Sequence, residues 1–206
     1  MVLFDFDGTL MDTEQAIIQS YRELFRRYRG EEEFTKEKQI SVLGPSLLDM
    51  IKTFFPNEDV EKLQKEYRAY QNEHLKELIQ PMPNAIELLE WVKKKGYVVG
   101  IVTARRKDSL EHILELFNMK DYFSILIGYY EVQKQKPDPE GILKAIGDTQ
   151  YEEVYYVGDS AGDILAGKNA NVKTIAYLWM EERKKALLDS HADYEIEDLL
   201  EVKDIV

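Results

Sequence analysis

Residues 2–10 read Val-Leu-Phe-Asp-Phe-Asp-Gly-Thr-Leu, so that two carboxylates, Asp5 and Asp7, directly follow a short apolar run. An apolar run that ends near a glycine predicts a buried strand leading into a tight turn. Residues two apart on an extended chain point to the same side, so Asp5 and Asp7 are expected to converge just past the strand. Two neighbouring anions are costly unless their charge is compensated. A divalent cation with phosphate chemistry beside it would compensate them.

Composition limits the class of protein. The chain has 206 residues, enough for one core or for a core plus a smaller module. Hydrophobic residues make up 44%, but no apolar stretch approaches the ~20 residues that span a membrane. The acidic Asp5 and Asp7 do not fit a signal peptide. The absence of cysteine excludes disulfides, thiolate catalysis and cysteine-ligated metals, and we expect a cytoplasmic protein without a membrane partner.

The net charge is strongly negative. Lys and Arg total 27 and Asp and Glu total 39, which gives −12 at pH 7. This balance argues against a nucleic-acid partner or an anionic membrane surface. An anionic substrate would need a site that reverses the sign of the global field, and a metal ion with one or two well-placed cations would do so.

Apolar strands alternate with amphipathic helices along most of the chain. Strands are predicted at 2–6, 97–102, 123–127, 154–157 and 174–177, with helices at 85–95, 107–118, 139–146 and 164–169 and helical turns at 190–206. Strands that are apolar throughout indicate a parallel sheet covered on both faces. The predicted fold is therefore α/β, a Rossmann-like parallel sheet with helices on both faces.

A helical insertion interrupts this alternation after the first strand. Helical periodicity is predicted at 16–28, 47–55 and 60–79, and nothing from 12 to about 80 resembles a strand. We expect a catalytic core of residues 1–11 and 82–206 and an α-helical cap of residues 12–81. Ligands of open α/β sheets bind outside the carboxyl ends of the strands, so the cap is expected to cover the active site.

Polar residues follow the other predicted strands. Thr103 lies in Ile-Val-Thr-Ala-Arg, Lys136 in Gln-Lys-Pro-Asp-Pro, and Asp159 and Asp163 in Val-Gly-Asp-Ser-Ala-Gly-Asp. Each motif has an ordinary alternative. Asp7-Gly8 is typical of a turn and Lys136-Pro137 of a surface loop, while Thr103, or Ser160 with Asp163, is typical of a helix start. Together with Asp5 they supply a nucleophile, a hydroxyl, a cation and further metal-binding carboxylates.

These four motifs, in this order, resemble those of the haloacid dehalogenase-like (HAD) superfamily of phosphotransferases. The first motif runs from Asp5 to Leu10 and the fourth from Gly158 to Asp163, while Thr103 and Lys136 match the two shorter motifs. The resemblance covers essentially the whole chain, including an α-helical cap. Thr9 resembles the phosphatase branches more than the sugar phosphomutases. The helical cap and the loop at 44–46 are most similar to phosphoglycolate phosphatases and related inorganic pyrophosphatases, and the stretch 66–74 is more similar to the pyrophosphatase branch.

The resemblance implies a catalytic role for several residues. Asp5 would be the nucleophile that forms an aspartyl-phosphate, and Asp7 the general acid and then the general base. Lys136 would neutralise charge between Asp5 and the phosphoryl oxygens. Thr103, with neighbouring backbone N–H groups such as that of Ala104, would hold those oxygens. Arg105 either contacts the substrate or is solvated.

The resemblance also implies the cofactor Mg2+, which prefers oxygen ligands. Asp5, the backbone carbonyl of Asp7, and Asp159 would bind it, with Asp163 supporting directly or through water. The predicted activity is Mg2+-dependent hydrolysis of a small phosphorylated metabolite or of pyrophosphate, by a monomer or weak dimer. Two alternatives stay open, a β-phosphoglucomutase-like sugar phosphate mutase and a non-catalytic binding module.

Overall fold

The structure is a computed structural model that describes all residues, 1–206. Its strands are β1 (Val2–Phe4), β2 (Met11–Asp12), β3 (Gln80–Pro81), β4 (Val99–Val102), β5 (Ile125–Ile127), β6 (Tyr155–Gly158), β7 (Lys173–Tyr177) and β8 (Tyr194–Ile196). Its α-helices are α1 (Glu14–Tyr28), α2 (Lys36–Ser41), α3 (Leu47–Phe54), α4 (Val60–Glu73), α5 (Leu75–Leu78), α6 (Ala85–Lys94), α7 (Lys107–Leu116), α8 (Glu140–Ile146), α9 (Ala161–Asn169) and α10 (Glu181–Leu188). Short 3-10 segments lie at 31–33, 120–122, 129–131 and 199–204.

Six parallel strands form the main sheet, in the spatial order β5-β4-β1-β6-β7-β8. The first strand of the chain lies inside the sheet, because Leu3 is in register with Gly100 of β4 on one side and with Tyr156 of β6 on the other. Every residue of β1, β4 and β6 is buried, as expected for strands covered by helices on both faces. The predicted α/β fold with a Rossmann-like parallel sheet is confirmed.

The chain divides into two compact units. The first consists of residues 1–11 and 81–206 and contains the six-stranded sheet. On one face of that sheet, a hydrophobic cluster includes Leu3, Val102, Ile142 and Tyr156. The central strands and the helices that cover them are therefore joined by contacts between buried side chains.

The second unit, residues 12–80, is built from α1 to α5. Its interior is aromatic: Phe25 stacks on Phe34 with ring centroids 4.8 Å apart and contacts Phe55 at 5.0 Å, while Tyr21 meets Tyr67 edge-on at 5.0 Å. The predicted loop at 44–46 ends in the N-cap of α3. The cap role of this unit stays a prediction.

Several predicted elements were wrong in detail. The expected helix at 60–79 is split into α4 and α5, and the short strands β2 and β3 pair at the ends of a segment expected to be wholly helical. Residues 190–206, in which only helical turns were predicted, contain the edge strand β8 as well as the 3-10 segment at 199–204, and α10 was not predicted. Only Ile196 is buried in β8 and only Leu187 in α10, so neither element carries the apolar periodicity by which a strand or helix is recognised. No helix is long and apolar enough to cross a membrane.

Candidate active site

Polar residues converge at the carboxyl edge of the sheet. Asp5 directly follows β1, Thr103 follows β4, and Asp159 follows β6. The backbone N–H of Asp5 still donates to the carbonyl of Val157 at 2.8 Å, so the sheet fixes its position. Because neighbouring parallel strands end at the same edge, residues that are distant in the chain meet here.

Three buried carboxylates form the centre of the site. Asp5, Asp159 and Asp163 each offer an oxygen within 4.8 Å of the oxygens offered by the other two. Their exposures are 6%, 3% and 0%. Such a cluster of anions, taken from water, requires positive charge around it.

Lys136 supplies part of that charge. Its Nζ donates to Asp5 Oδ1 at 2.8 Å and to Asp163 Oδ1 at 2.5 Å. The loop that carries Lys136 is anchored to α8, because the carboxylate of Glu140 accepts hydrogen bonds from the backbone N–H groups of Gln133 and Lys134 at 2.9 Å each. The lysine thus reaches the site from a fixed loop.

Tyr156 belongs to the same network and was missed by the sequence analysis. Its hydroxyl lies 2.9 Å from the carbonyl oxygen of Val102, 3.1 Å from Lys136 Nζ and 3.2 Å from Asp163 Oδ1. Donation to Val102 leaves a lone pair that accepts from the ammonium. No sequence signal distinguished this tyrosine from an apolar core residue, because it occupies a fully buried strand position.

Asp163 serves both the site and the fold. Its Oδ2 accepts from the backbone N–H of Ser160 at 3.0 Å and from the Ser160 hydroxyl at 2.5 Å, which forms a capping box at the start of α9. Its Oδ1 faces Lys136. The helix-cap alternative is therefore correct for Ser160 and Asp163, and it coexists with the placement of Asp163 in the carboxylate cluster. Gly158 permits this close approach, because a Cβ there would lie 2.3 Å from the Cβ of Asp163.

Asp7 is paired with Arg105. The guanidinium donates through Nε to both oxygens of Asp7 at 3.1 Å and through Nη2 to Oδ1 at 2.5 Å. Its Nη1 donates to Ser109 on α7 at 3.0 Å. The resemblance implied a general acid and base at Asp7, and the structure places this carboxyl in a two-pronged ion pair. Arg105 is not a solvated arginine, since its side chain is only 9% exposed.

A third cation, Arg183 on α10, contacts Asp159. Its Nη1 donates to Asp159 Oδ2 at 2.7 Å, while the hydroxyl of Thr9 donates to Oδ1 at 3.3 Å. Gly8 makes this arrangement possible, since its φ is +82° and a Cβ there would lie 2.5 Å from Asp159 Oδ2. Arg183 was also missed from the sequence, because it lies on the helix that the sequence did not reveal.

Thr103 and its neighbours form a tight turn after β4. The Thr103 backbone N–H donates to the carbonyl of Ile127 at 3.0 Å, and its hydroxyl oxygen accepts from the N–H of Arg105 at 3.1 Å. Accepting one hydrogen bond leaves the O–H of Thr103 as a donor. Ala104 lies between these two residues in the turn. Thr103 and Ala104 thus follow β4 at the sheet edge, Lys136 joins the carboxylate cluster, and Asp7 pairs with Arg105.

Burial and neighbouring charge set the protonation of the cluster. Burial raises the pKa of Asp5 to about 8 although Lys136 opposes the rise, and burial raises the pKa of Asp159 to about 6 against the effect of Arg183. Burial would also raise the pKa of Asp163, but Lys136 and Ser160 outweigh it and the pKa is lowered. Asp5 therefore needs more positive charge than the protein supplies in order to ionise fully at neutral pH.

An all-oxygen donor set of carboxylates fits a hard divalent cation such as Mg2+. The fold and the site define the chain as an α/β protein with an acidic, cation-balanced centre at the carboxyl edge of a parallel sheet. A family model described as haloacid dehalogenase-like hydrolase matches residues 2–177. The chain belongs to this family of hydrolases.

Individual relatives agree with the family. The chain is 32% identical to a protein named Pyrophosphatase PpaX from Bacillus mycoides, over all of this chain and 95% of that protein. It is 35% identical to Pyrophosphatase PpaX from Bacillus cereus, over 86% of this chain and 82% of that protein. A solved haloacid dehalogenase-like hydrolase from Bacteroides fragilis has a TM-score of 0.87 at 26% identity, with 98% of both chains covered. A predicted phosphoglycolate phosphatase from Haemophilus somnus has a TM-score of 0.81 at 20% identity, over 100% of this chain and 96% of that one, and shares the fold.

Proposed function

We propose that the chain is a Mg2+-dependent phosphatase that hydrolyses inorganic pyrophosphate or a small phosphate ester through an aspartyl-phosphate on Asp5. The observation that carries this proposal is the position of Asp5. Its carboxylate stands at the end of β1, 2.8 Å from Lys136 Nζ and within 4.8 Å of oxygens of Asp159 and Asp163. A nucleophilic carboxylate requires a nearby cation and a metal site, and both are compatible with this arrangement.

Asp5, Asp159 and Asp163 are the side chains proposed to hold the ion, with the backbone carbonyl of Asp7 as a further ligand. The bound ion would supply positive charge beside the phosphoryl oxygens and the Asp5 carboxylate. Lys136 would supply further positive charge to the phosphoryl oxygens, since its ammonium already contacts Asp5 and Asp163.

In the first step an oxygen of Asp5 attacks phosphorus, and the bond between phosphorus and the leaving oxygen breaks. Asp7, which takes up a proton from solvent once the Arg105 guanidinium has left it, donates that proton to the leaving oxygen. In the second step water attacks the phosphorus of the aspartyl-phosphate, Asp7 takes a proton from the water, and phosphate leaves with Asp5 regenerated. The sum is the hydrolysis of one phosphoester or phosphoanhydride bond.

Asp7 can perform this role only if its ion pair with Arg105 loosens. Asp7 accepts hydrogen bonds of 2.5 to 3.1 Å from two guanidinium nitrogens of Arg105, and in this state its oxygens are not available for proton transfer. We assign Arg105 to the anionic substrate, whose phosphoryl oxygens draw the guanidinium away from Asp7. Thr103, through its O–H, and the backbone N–H of Ala104 would hold the remaining phosphoryl oxygens.

The names of the relatives make pyrophosphate the first substrate to test, because the two relatives at 32% and 35% identity are called pyrophosphatases. Residues 12–81 are proposed to act as the cap that excludes bulk water during the reaction. The substrate is therefore a small phosphorylated molecule, and no nucleic acid is expected to bind a chain of net charge −12.

Asp5→Asn tests the proposal, because it removes the nucleophilic oxygen and one charge while keeping the shape of the side chain. Phosphate release from pyrophosphate and a panel of phosphate esters, with Mg2+ and with EDTA, should fall by more than roughly a thousandfold in this variant. Asp148→Asn is the matched control, since Asp148 is exposed on a loop and should leave turnover unchanged.

Three outcomes discriminate among the possible functions. Wild-type rates in Asp5→Asn would refute the nucleophile assignment. Interconversion of sugar phosphates with little phosphate release would indicate a mutase. No release from any compound, by a protein that melts cooperatively, would indicate a binding module.

A further inference from the structure

Arg183 is the cation at this site to which the proposed reaction gives no role. It projects from α10, which follows β7, and its side chain is only 16% exposed. Its Nη1 donates to Asp159 Oδ2 at 2.7 Å. The side chain of Asp159 is itself 2% exposed, so this ion pair is largely removed from water.

The ion pair of Arg183 includes Asp159, which is a proposed metal ligand. Asp159 contributes one of the three clustered carboxylates, and it is the member of the trio that Arg183 contacts, while Lys136 contacts the other two. Its second oxygen accepts from Thr9 at 3.3 Å. A divalent ion bound by Asp159 must therefore share the carboxylate with a guanidinium, or displace it.

We propose that Arg183 competes with the divalent ion for Asp159 and so weakens metal binding at this site. This inference rests on the proposed function, because it presumes that the carboxylate trio is the metal site. Two cations that share one buried carboxylate repel each other, and the repulsion is stronger where water is excluded. Arg183 also compensates the charge of Asp159 before any metal ion binds, so the binding of the ion to this carboxylate releases less free energy.

The consequence is a site that binds and releases its ion readily. Lys136 could not adjust the metal affinity alone, because it also contacts the proposed nucleophile Asp5. Arg183 contacts only the ligand Asp159 among the three carboxylates, so it adjusts the affinity for metal separately from the attack on phosphorus.

Isothermal titration of EDTA-treated, dialysed full-length protein with MgCl2 tests the proposal. Arg183→Gln should bind Mg2+ roughly tenfold more tightly than wild type, because one opposing charge is gone. Lys185→Gln removes the same charge from an exposed position two residues further along α10 and should leave the affinity unchanged within about twofold. Arg183→Lys keeps the charge and should stay close to wild type.

Thermal melting in EDTA and in MgCl2 gives a second readout that does not depend on activity. Arg183→Gln should melt below wild type in EDTA, since Asp159 loses its partner, and should show the larger rise with Mg2+. Equal or weaker Mg2+ binding by Arg183→Gln, with measurable binding by wild type, overturns the competition and leaves the proposed function standing. Binding by neither protein overturns both the competition and the proposed metal site.

Discussion

The hydroxyl of Tyr156 offers the sharpest test of the network around Lys136. Tyr156→Phe removes one oxygen and keeps the ring, which lies fully buried in β6. That oxygen lies 2.9 Å from the Val102 carbonyl and 3.1 Å from Lys136 Nζ. Its removal deprives the carbonyl of a donor and the ammonium of an acceptor, without creating a cavity larger than one atom.

The expected cost follows from these two contacts. A neutral hydrogen bond contributes about 1 kcal/mol and one to a charged group about 1.5–3 kcal/mol, so the variant should lose roughly 2–4 kcal/mol of unfolding free energy. For a chain of this size each kcal/mol lowers the melting temperature by about 2–4 °C. Phosphate release should fall roughly ten- to hundredfold, because Lys136 is less well positioned beside Asp5.

Tyr155→Phe is the matched control. Tyr155 is the preceding residue of the same strand and its side chain points to the opposite face. Its hydroxyl donates to Glu153 at 2.5 Å and takes no part in the site. Urea denaturation in EDTA, with equal m-values for the two variants, compares them directly. A loss of less than about 1 kcal/mol in Tyr156→Phe, or an equal fall of phosphate release in both variants, would refute the claim that the Tyr156 hydroxyl belongs to the charged network.

Three further predictions concern the same edge of the sheet. Gly8→Ala should weaken both Mg2+ binding, measured by titration, and stability, measured by urea denaturation, because its Cβ would collide with Asp159 Oδ2. Lys136→Met should cost about 3–5 kcal/mol in urea denaturation and abolish phosphate release, since Asp5 and Asp163 lose their buried partner. In EDTA, the unfolding free energy of wild type should fall between about pH 5 and pH 9, and less steeply in Asp5→Asn. Burial raises the pKa of Asp5 from 3.8 to about 8, so its stabilising contribution is complete below the unfolded pKa and lost as the pH rises through the folded pKa.

The two substitutions each have a control within the chain. Gly96 has nearly the same φ as Gly8, +83°, but no atom lies within 4 Å of its added Cβ, so Gly96→Ala isolates backbone strain from collision. Lys134→Met removes a charge from an exposed neighbour of Lys136. A wild-type free energy that rises across the same pH range would contradict the raised pKa of Asp5.

The sequence predicted the sheet and the strand-end residues because both follow from local pattern. A run of buried apolar residues fixes a strand, and the polar residue that ends it is visible in the chain, as with Asp5, Thr103 and Asp159. The edge strand β8 and helix α10 escaped prediction because each buries a single large apolar residue, Ile196 or Leu187. The position of β8 is set by its pairing with β7, and that of α10 by the cluster that Leu187 forms with Ile164 and Ala176.

The sequence by itself determined the parallel α/β core and the carboxylates that meet at its edge. Only the tertiary structure decided how these charges are paired. Arg183 reaches Asp159 from 24 residues away and Arg105 reaches Asp7 from 98 residues away. Such contacts depend on where helices and loops pack, and no spacing along the chain encodes that placement. The two carboxylates at the start of the chain are therefore divided by their partners, Asp5 with Lys136 and Asp7 with Arg105.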